Sequence, residues 1–495
     1  MTLSELLTER ARRYSRNTYI KFEKQRLSFS ETDRLVRLAA GGLRALGLNT
    51  AGRAAILMEN CPGYIVSFFA ILRAGGIAVP VNSFLTPEEI SYILNDCNCR
   101  ILVYGSGFSQ HVEKIRKSVP GLKAVLFDEI PRREAGTYSG DAGDTAVLLY
   151  TSGTTGFPKG AMLTHKNLIS NAEACIKVIQ VSQRDRVLLF LPLFHSFSLT
   201  VCVILPVCAG ACIVLLESVK PFSKVVNAIF RDRITLFVGV PTVYNILSRK
   251  RLPFFAKYLL KFLMNIRACI SGAAALPRDT IHAFEERFRV PLLEGYGLTE
   301  TSPVVSVNPL NGVRKPGSVG PPLPGIEVAV IGEDGKRLPP GEIGELIVRG
   351  PNVMKGYFNR EEETGEVLKD GWLHTGDMAK IDEDGYIYIV DRKKDLIIVD
   401  GMNVYPKQVE DVVIKHPLIE ECAMVGIPDG RGSEIPVLFL KKADNAEVGE
   451  NEIRDYLKGH IARFKMPRRM VFVDQFPKTA TGKIKKTELR KPEKV

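Results

Sequence analysis

Short, almost purely aliphatic runs that alternate with helical stretches most constrain how this chain can fold. AAILMEN (54–60), GIAVPVN (76–82), RILVYG (100–105) and AVLLYT (146–151) are near-continuous in Val, Ile, Leu and Ala, as expected of strands buried on both faces. Between them, GYIVSFFAILRAG carries apolar residues at helical spacing. A polar connection from Asp128 to Asp144 interrupts the pattern. It resumes with VLLFLP, ACIVLLE, TLFVGVP, IRACISG and LLEGYG, separated by helical segments such as PRDTIHAFEERF. Strands alternating with helices predict an α/β fold, with parallel-rich sheets flanked by helices. From Gly317 the texture turns Gly/Pro-rich and predicts a small β unit, with a hairpin in IDEDGYIYIVDR that turns at Asp384–Gly385. After Asp391-Arg392-Lys393-Lys394-Asp395 a second, small α+β domain is expected: a helix from Pro406 to His416, strands in ECAMVGIPD and IPVLFLKK, a helix in ENEIRDYLKGHI, and a basic tail. At 495 residues the chain exceeds what one hydrophobic core supports.

Composition narrows the function classes. With 45% hydrophobic and 25% charged residues, disorder is not indicated. The formal net charge is +12, but the excess is concentrated: from Ile461 to Val495 there are 11 Lys/Arg against 3 Asp/Glu. That end reads either as a solvated tail or as a surface for a polyanionic small molecule, and no nucleic-acid partner is expected. The nine cysteines lack paired metal-ligand spacing, and several lie in apolar runs, so a reduced cytoplasmic setting is expected. The first residues, MTLSELLTERARRYSRNTYI, contain no apolar signal region. Between Arg186 and Glu217 no Asp, Glu, Lys or Arg occurs, yet Pro192, His195, Pro206 and Gly210 break the run. It is expected to be a buried strand–turn–helix stretch rather than a membrane span, with at most peripheral contact at the inner face of a membrane.

The run LYTSGTTGFPKG (149–160) carries three glycines, hydroxyls and a lysine, which suits an anion-binding loop. It is not a Walker loop, since Pro158 precedes Lys159 and Gly160 follows it; a phosphoryl-transfer kinase is disfavoured. GYGLTETSP (295–303), GWLHTGD (371–377), VDRKKD (390–395) and PKTATGKIKKTELR (477–490) accompany it. In this order and spacing the five strings resemble the adenylate-forming (ANL) superfamily, the acyl-CoA synthetases and their relatives, over nearly the whole chain. The look is closest to bacterial fatty acyl-CoA ligases.

The resemblance implies a mechanism and a site. The loop of Thr151, Ser152, Gly153, Thr154, Thr155, Gly156 and Lys159 would cradle the β- and γ-phosphates of ATP, while the α-phosphorus is attacked by a carboxylate. Tyr296 would stack on adenine beside Gly272 and Ala273, with Glu294, Gly295 and Gly297 completing that wall. Thr299 would meet the α-phosphate, and Glu300 with Thr151 would hold Mg²⁺. Asp377 would bind the ribose hydroxyls, aided by Arg392. Lys483 would stabilise the charge that develops at the α-phosphorus, and His195 would position the substrate carboxylate; alone, it reads as a core histidine. The expected organisation is a large domain over 1–391, a hinge at 392–395 and a mobile lid over 396–495, whose swing carries Lys483 away and brings the segment around Gly401-Met402-Asn403 in. The family often has glycine where Asp391 stands and proline at Ala275, and the latter bears on the acyl pocket.

The expected reaction joins a carboxylic acid to coenzyme A through acyl-AMP. Apolar stretches at Phe194–Leu205, GVPTVY (239–244) and Ser271–Ala275 predict an apolar acid, a medium- or long-chain fatty acid first and an aromatic acid as alternative. The basic end, Arg468 and Arg469 included, is a candidate surface for the CoA phosphates. An acyl carrier protein is the alternative acceptor, and a homodimer is left open. A non-catalytic scaffold is the third reading, opposed by the presence of Lys483 and Glu300.

Overall fold

The computed structural model describes residues 1–136, 138–152, 158–249, 264–399, 402–428, 434–444, 446–478 and 484–490. The chain divides into two compact units, Met1–Glu327 with Val348–Leu373, and Val328–Ile347 with His374–Val495. The fold is mixed α/β, as the alternation of strands and helices predicts.

Two sheets organise the first unit. One has eight strands in the order Val304–Val307, Leu292–Gly297, Ala268–Ser271, Leu236–Gly239, Arg186–Leu189, Cys212–Leu215, Thr18–Phe22 and Gln25–Ser28. Its six central strands run parallel and only the two edge strands are antiparallel. The other has seven strands, ordered Gly356–Tyr357, Pro158–Thr164, Thr145–Ser152, Ile77–Pro80, Arg53–Leu57, Ile101–Tyr104 and Lys123–Leu126. AVLLYT thus pairs parallel on one side only; on the other it forms a hairpin with Pro158–Thr164. The helix Pro62–Arg73 is buried along nearly its whole length, which explains why its sequence is apolar all round rather than striped. Its last residue, Arg73, is fully buried against Asp33 at 2.5 Å.

The uncharged run folds as expected of a buried segment: the strand Arg186–Leu189, short helical turns over Ser196–Ala209, then the strand Cys212–Leu215. Among the described residues no helix is long and apolar enough to cross a membrane.

In the second unit, Trp372–Ile381 and Ile387–Arg392 form the hairpin expected around Asp384–Gly385, and Gly385 has φ +81° at its turn. A three-stranded sheet of Ile419–Pro428, Glu434–Lys442 and Arg469–Phe472 packs the helices Pro406–Val413 and Glu450–Lys458 over Val409, Met424, Leu438, Ile453 and Leu457. Asp391 lies inside this unit, accepting the Lys407 N–H at 2.8 Å in the first turn of the helix Pro406–Val413. An aspartate serves there as a capping acceptor.

Candidate active site

Four parallel strands of the eight-stranded sheet end on the same side, and a crevice at the carboxyl ends of such strands is where open α/β sheets bind ligands. Arg186–Leu189 leads to His195, Leu236–Gly239 to Pro241, Ala268–Ser271 to Gly272 and Ala273, and Leu292–Gly297 carries Tyr296 to the turn Thr299–Thr301. The topology therefore gathers motifs that lie far apart in sequence.

Contacts tie these ends together. Ser196 Oγ lies 3.4 Å from Thr299 Oγ1, and Thr200 Oγ1 donates to the Ser302 carbonyl at 3.0 Å. The Phe197 ring packs on Gly272, where a Cβ would come within 2.9 Å of it. At Gly297 a Cβ would lie 1.9 Å from the Pro303 carbonyl oxygen, so only glycine allows that tight turn. Ala273 adopts φ +71°, a conformation costly for a residue with a Cβ and often found at functional sites. Glu294 is 4% exposed and accepts the Leu276 N–H at 2.9 Å. It thereby fixes the 272–276 segment from inside.

His195 is half-buried, and its Nδ1 accepts the Phe197 N–H at 3.2 Å. In the neutral ring this places the proton on Nε2. The loop before it is held by Asn60, which donates to the carbonyls of Leu191 and Leu216 and accepts from Leu193 N–H. Sequence reasoning did not single out Asn60; a polar residue at the end of an aliphatic strand was the available signal.

The second sheet contributes the hairpin. Thr151 stands opposite Lys159, and the pairing runs to Ser152 opposite Pro158. Gly153, Thr154, Thr155 and Gly156 lie outside the described residues, as does Lys483. Lys159 is 8% exposed; its Nζ sits 3.6 Å from Glu363 and 5.5 Å from the Tyr357 ring centroid. Tyr357 in turn donates its hydroxyl to Glu300 Oε1 at 2.8 Å. Burial, reinforced by the charge of Glu300, pushes the Tyr357 phenol well above its usual range. Tyr357 was missed in the sequence because its two-residue strand leaves no periodic signal, and Glu363 because it is one of three consecutive glutamates opening the helix Glu361–Val367.

In the second unit, Asp377 is 2% exposed and opposite Arg392 in the hairpin, with Arg392 Nε 2.7 Å from its Oδ1. Gly376, at φ +67°, donates its N–H to Glu345. Burial pushes the Glu345 carboxyl up, but the hydrogen bond and charge of Lys393 outweigh it and hold the group below its usual range. The basic end proves partly internal. Lys486 is paired with Glu410 at 2.7 Å, Arg490 with Asp395 at 3.0 Å and Lys478 with Glu421 at 2.6 Å. These three cations are paired within the unit, which leaves fewer unpaired for a polyanion than the count from the sequence suggests.

Among the described residues no group of three or more His, Cys, Asp or Glu forms a metal cluster. A magnesium ion accompanying a nucleotide does not need one, since it takes one or two carboxylates and fills its sphere with phosphates and water. Glu300 fits that demand: one oxygen accepts from Tyr357, and among the described residues no hydrogen bond is formed by the other.

Parallel strands with converging ends, a hairpin carrying a buried lysine, and a carboxylate held by the tyrosine near that lysine suit an α/β enzyme that binds a nucleotide. Residues 7–358 match the family described as AMP-binding enzyme, and residues 408–483 match the AMP-binding enzyme C-terminal domain. The chain belongs to this family, within the adenylate-forming superfamily of acyl-CoA synthetases. It is 35% identical over 538 residues to a long-chain-fatty-acid–CoA ligase of Bacillus subtilis (strain 168), covering 99% of this chain and 94% of that protein. It is also 35% identical over 490 residues to a feruloyl-CoA synthase of an Amycolatopsis species, covering 97% of each. The crystal structure of ATP-bound MatB from Rhodopseudomonas palustris superposes with a TM-score of 0.91 at 32% identity, over 100% of this chain and 99% of that one.

Proposed function

We propose that this chain is an AMP-forming acid–thiol ligase that activates a medium- or long-chain fatty acid and transfers the acyl group to coenzyme A. The observation that carries this reading is the assembly of Lys159, Tyr357, Glu300, Thr299 and Ser196 around the strand ends that also bear His195 and Tyr296. In the first step a carboxylate oxygen bonds to the α-phosphorus of ATP, and pyrophosphate leaves. Lys159 and the 151–156 loop then act on the departing phosphates, Thr299 on the α-phosphate and Tyr296 on adenine. Glu300 and Thr151 would hold magnesium, which would supply neutralisation of phosphate charge. His195 orients the acid, Asp377 and Arg392 serve the ribose, and Lys483 stabilises charge on the α-phosphoryl oxygens. In the second step the thiol of CoA attacks the acyl carbonyl, loses its proton, and AMP leaves with the bonding pair. A hinge at 392–395, between a large domain over 1–391 and a lid over 396–495, would separate the two steps.

The apolar acid is supported by residues 191–205, which hold no Asp, Glu, Lys or Arg, and by the buried Phe194 and Phe197. The equal identity to a feruloyl-CoA synthase keeps an aromatic acid as the second reading. Pyrophosphate release across saturated acids of rising length and ring acids, with free CoA or a holo-carrier protein as acceptor, tests both. We expect kcat/KM to climb with chain length and the thioester to form on free CoA. Turnover only with ring acids, or only on the carrier, would replace this reading.

A further inference from the structure

We propose that Tyr357 is a positioning residue for the phosphate site, setting the Glu300 carboxylate at a fixed place beside Lys159. The inference rests on the proposed role of Glu300 toward magnesium–nucleotide. Its basis is a short segment, residues 352–358, that bonds to two parts of the first unit. On one side it grips the turn Thr299–Thr301: Asn352 Nδ2 donates to the Thr301 carbonyl at 2.9 Å, and Met354 N–H to the Glu300 carbonyl at 2.8 Å. On the other side it grips the hairpin strand that carries Lys159. Lys355 N–H donates to the Met162 carbonyl at 2.9 Å, and Phe358 N–H to the Gly160 carbonyl at 2.8 Å. Tyr357 is the side chain that spans the two: its hydroxyl holds Glu300 Oε1 at 2.8 Å while Lys159 Nζ lies 5.5 Å from its ring centroid.

Backbone bonds alone place the Cα of Glu300 but leave its side-chain torsions unconstrained, and carboxylate rotamers are many. A neutral phenol donating to one oxygen restricts the carboxylate's orientation and leaves the second oxygen outside that bond. Without that bond the carboxylate is free to swing to Lys159, an opposite charge beside the same ring. A positioned carboxylate therefore needs Tyr357 more than it needs any other residue of the segment.

Tyr357→Phe in the full-length protein removes the hydrogen bond and keeps the ring. With a hydrogen bond to a charged group removed, the magnesium concentration for half-maximal acid-dependent exchange of pyrophosphate into ATP should rise at least about tenfold. In parallel, Mn²⁺ binding read by electron paramagnetic resonance with α,β-methylene ATP should weaken by a similar factor. In a Glu300→Gln background the same substitution should change neither quantity further. Unchanged Mn²⁺ affinity in folded Tyr357→Phe protein overturns the inference whatever the activity. Absence of acid-dependent exchange in the wild type instead overturns the proposed function, and the Mn²⁺ titration still decides the role of Tyr357.

Discussion

The Tyr244 hydroxyl stands 2.9 Å from the carbonyls of both Phe237 and Ile270, on neighbouring strands, and the side chain is fully buried. Burial drives its phenol far above the usual range, so it stays a neutral donor. Read as part of GVPTVY, this residue is expected to line an acyl pocket; its position is instead that of a bolt across the sheet. Tyr244→Phe should lower unfolding free energy by about 1–2 kcal/mol in a denaturant melt while leaving the KM for the acid unchanged. A changed KM at unchanged stability would restore it to the pocket. At this scale the sequence conveyed residue type but not direction. Glu294 stands just before the string GYGLTETSP, and that place does not reveal that its carboxylate turns inward to the Leu276 N–H. Tyr296, Asp377 and Lys159 stand out as candidates because their neighbours are glycines and hydroxyls in a recurring order, whereas Tyr357 sits in GYFN, which carries no such mark.

Among the elements, the strands were the most legible, since a parallel strand buried on both faces must be aliphatic throughout. LLEGYG coincides with the strand Leu292–Gly297, and most other runs overshoot the strand by a residue or two at its ends. What could not be read is which strands become neighbours, because pairing depends on packing between distant segments. The N-terminal helix Leu3–Arg13 illustrates this. A capping box of Thr2 and Glu5 starts it, but its anchor is His165, whose Nδ1 accepts the Leu3 N–H at 3.2 Å across 162 positions. Burial pushes the His165 imidazole down to about 4, although the carboxylates of Asp144 and Glu5 pull the other way. With the folded value below the unfolded one, the unfolded chain takes up the proton first. Stability from this group is therefore complete above the ordinary histidine pKa of about 6.5 and is lost as pH falls toward 4. The loss is on the order of 3 kcal/mol at most. Melting temperatures at pH 7.5 and pH 5 (roughly either side of the ordinary histidine pKa) should fall further apart in the wild type than in His165→Gln. Equal falls would remove His165 as the source.

For the whole molecule, function was more legible than arrangement. Five strings in order identify the adenylate-forming family, and residues 7–358 and 408–483 match it. The contact-defined division, with Val328–Ile347 and His374–Val495 in one unit, reflects strand pairing between Gly344–Arg349 and Trp372–Ile381, which no local pattern announces. The mobile-lid account asks Lys483, from the second unit, to serve chemistry prepared in the first. The most direct test is the exchange of labelled pyrophosphate into ATP without CoA, in wild type and Lys483→Ala. The account predicts exchange that requires the acid, does not require CoA, and disappears in the variant. Release of ADP and orthophosphate, or exchange that survives the loss of Lys483, would contradict it.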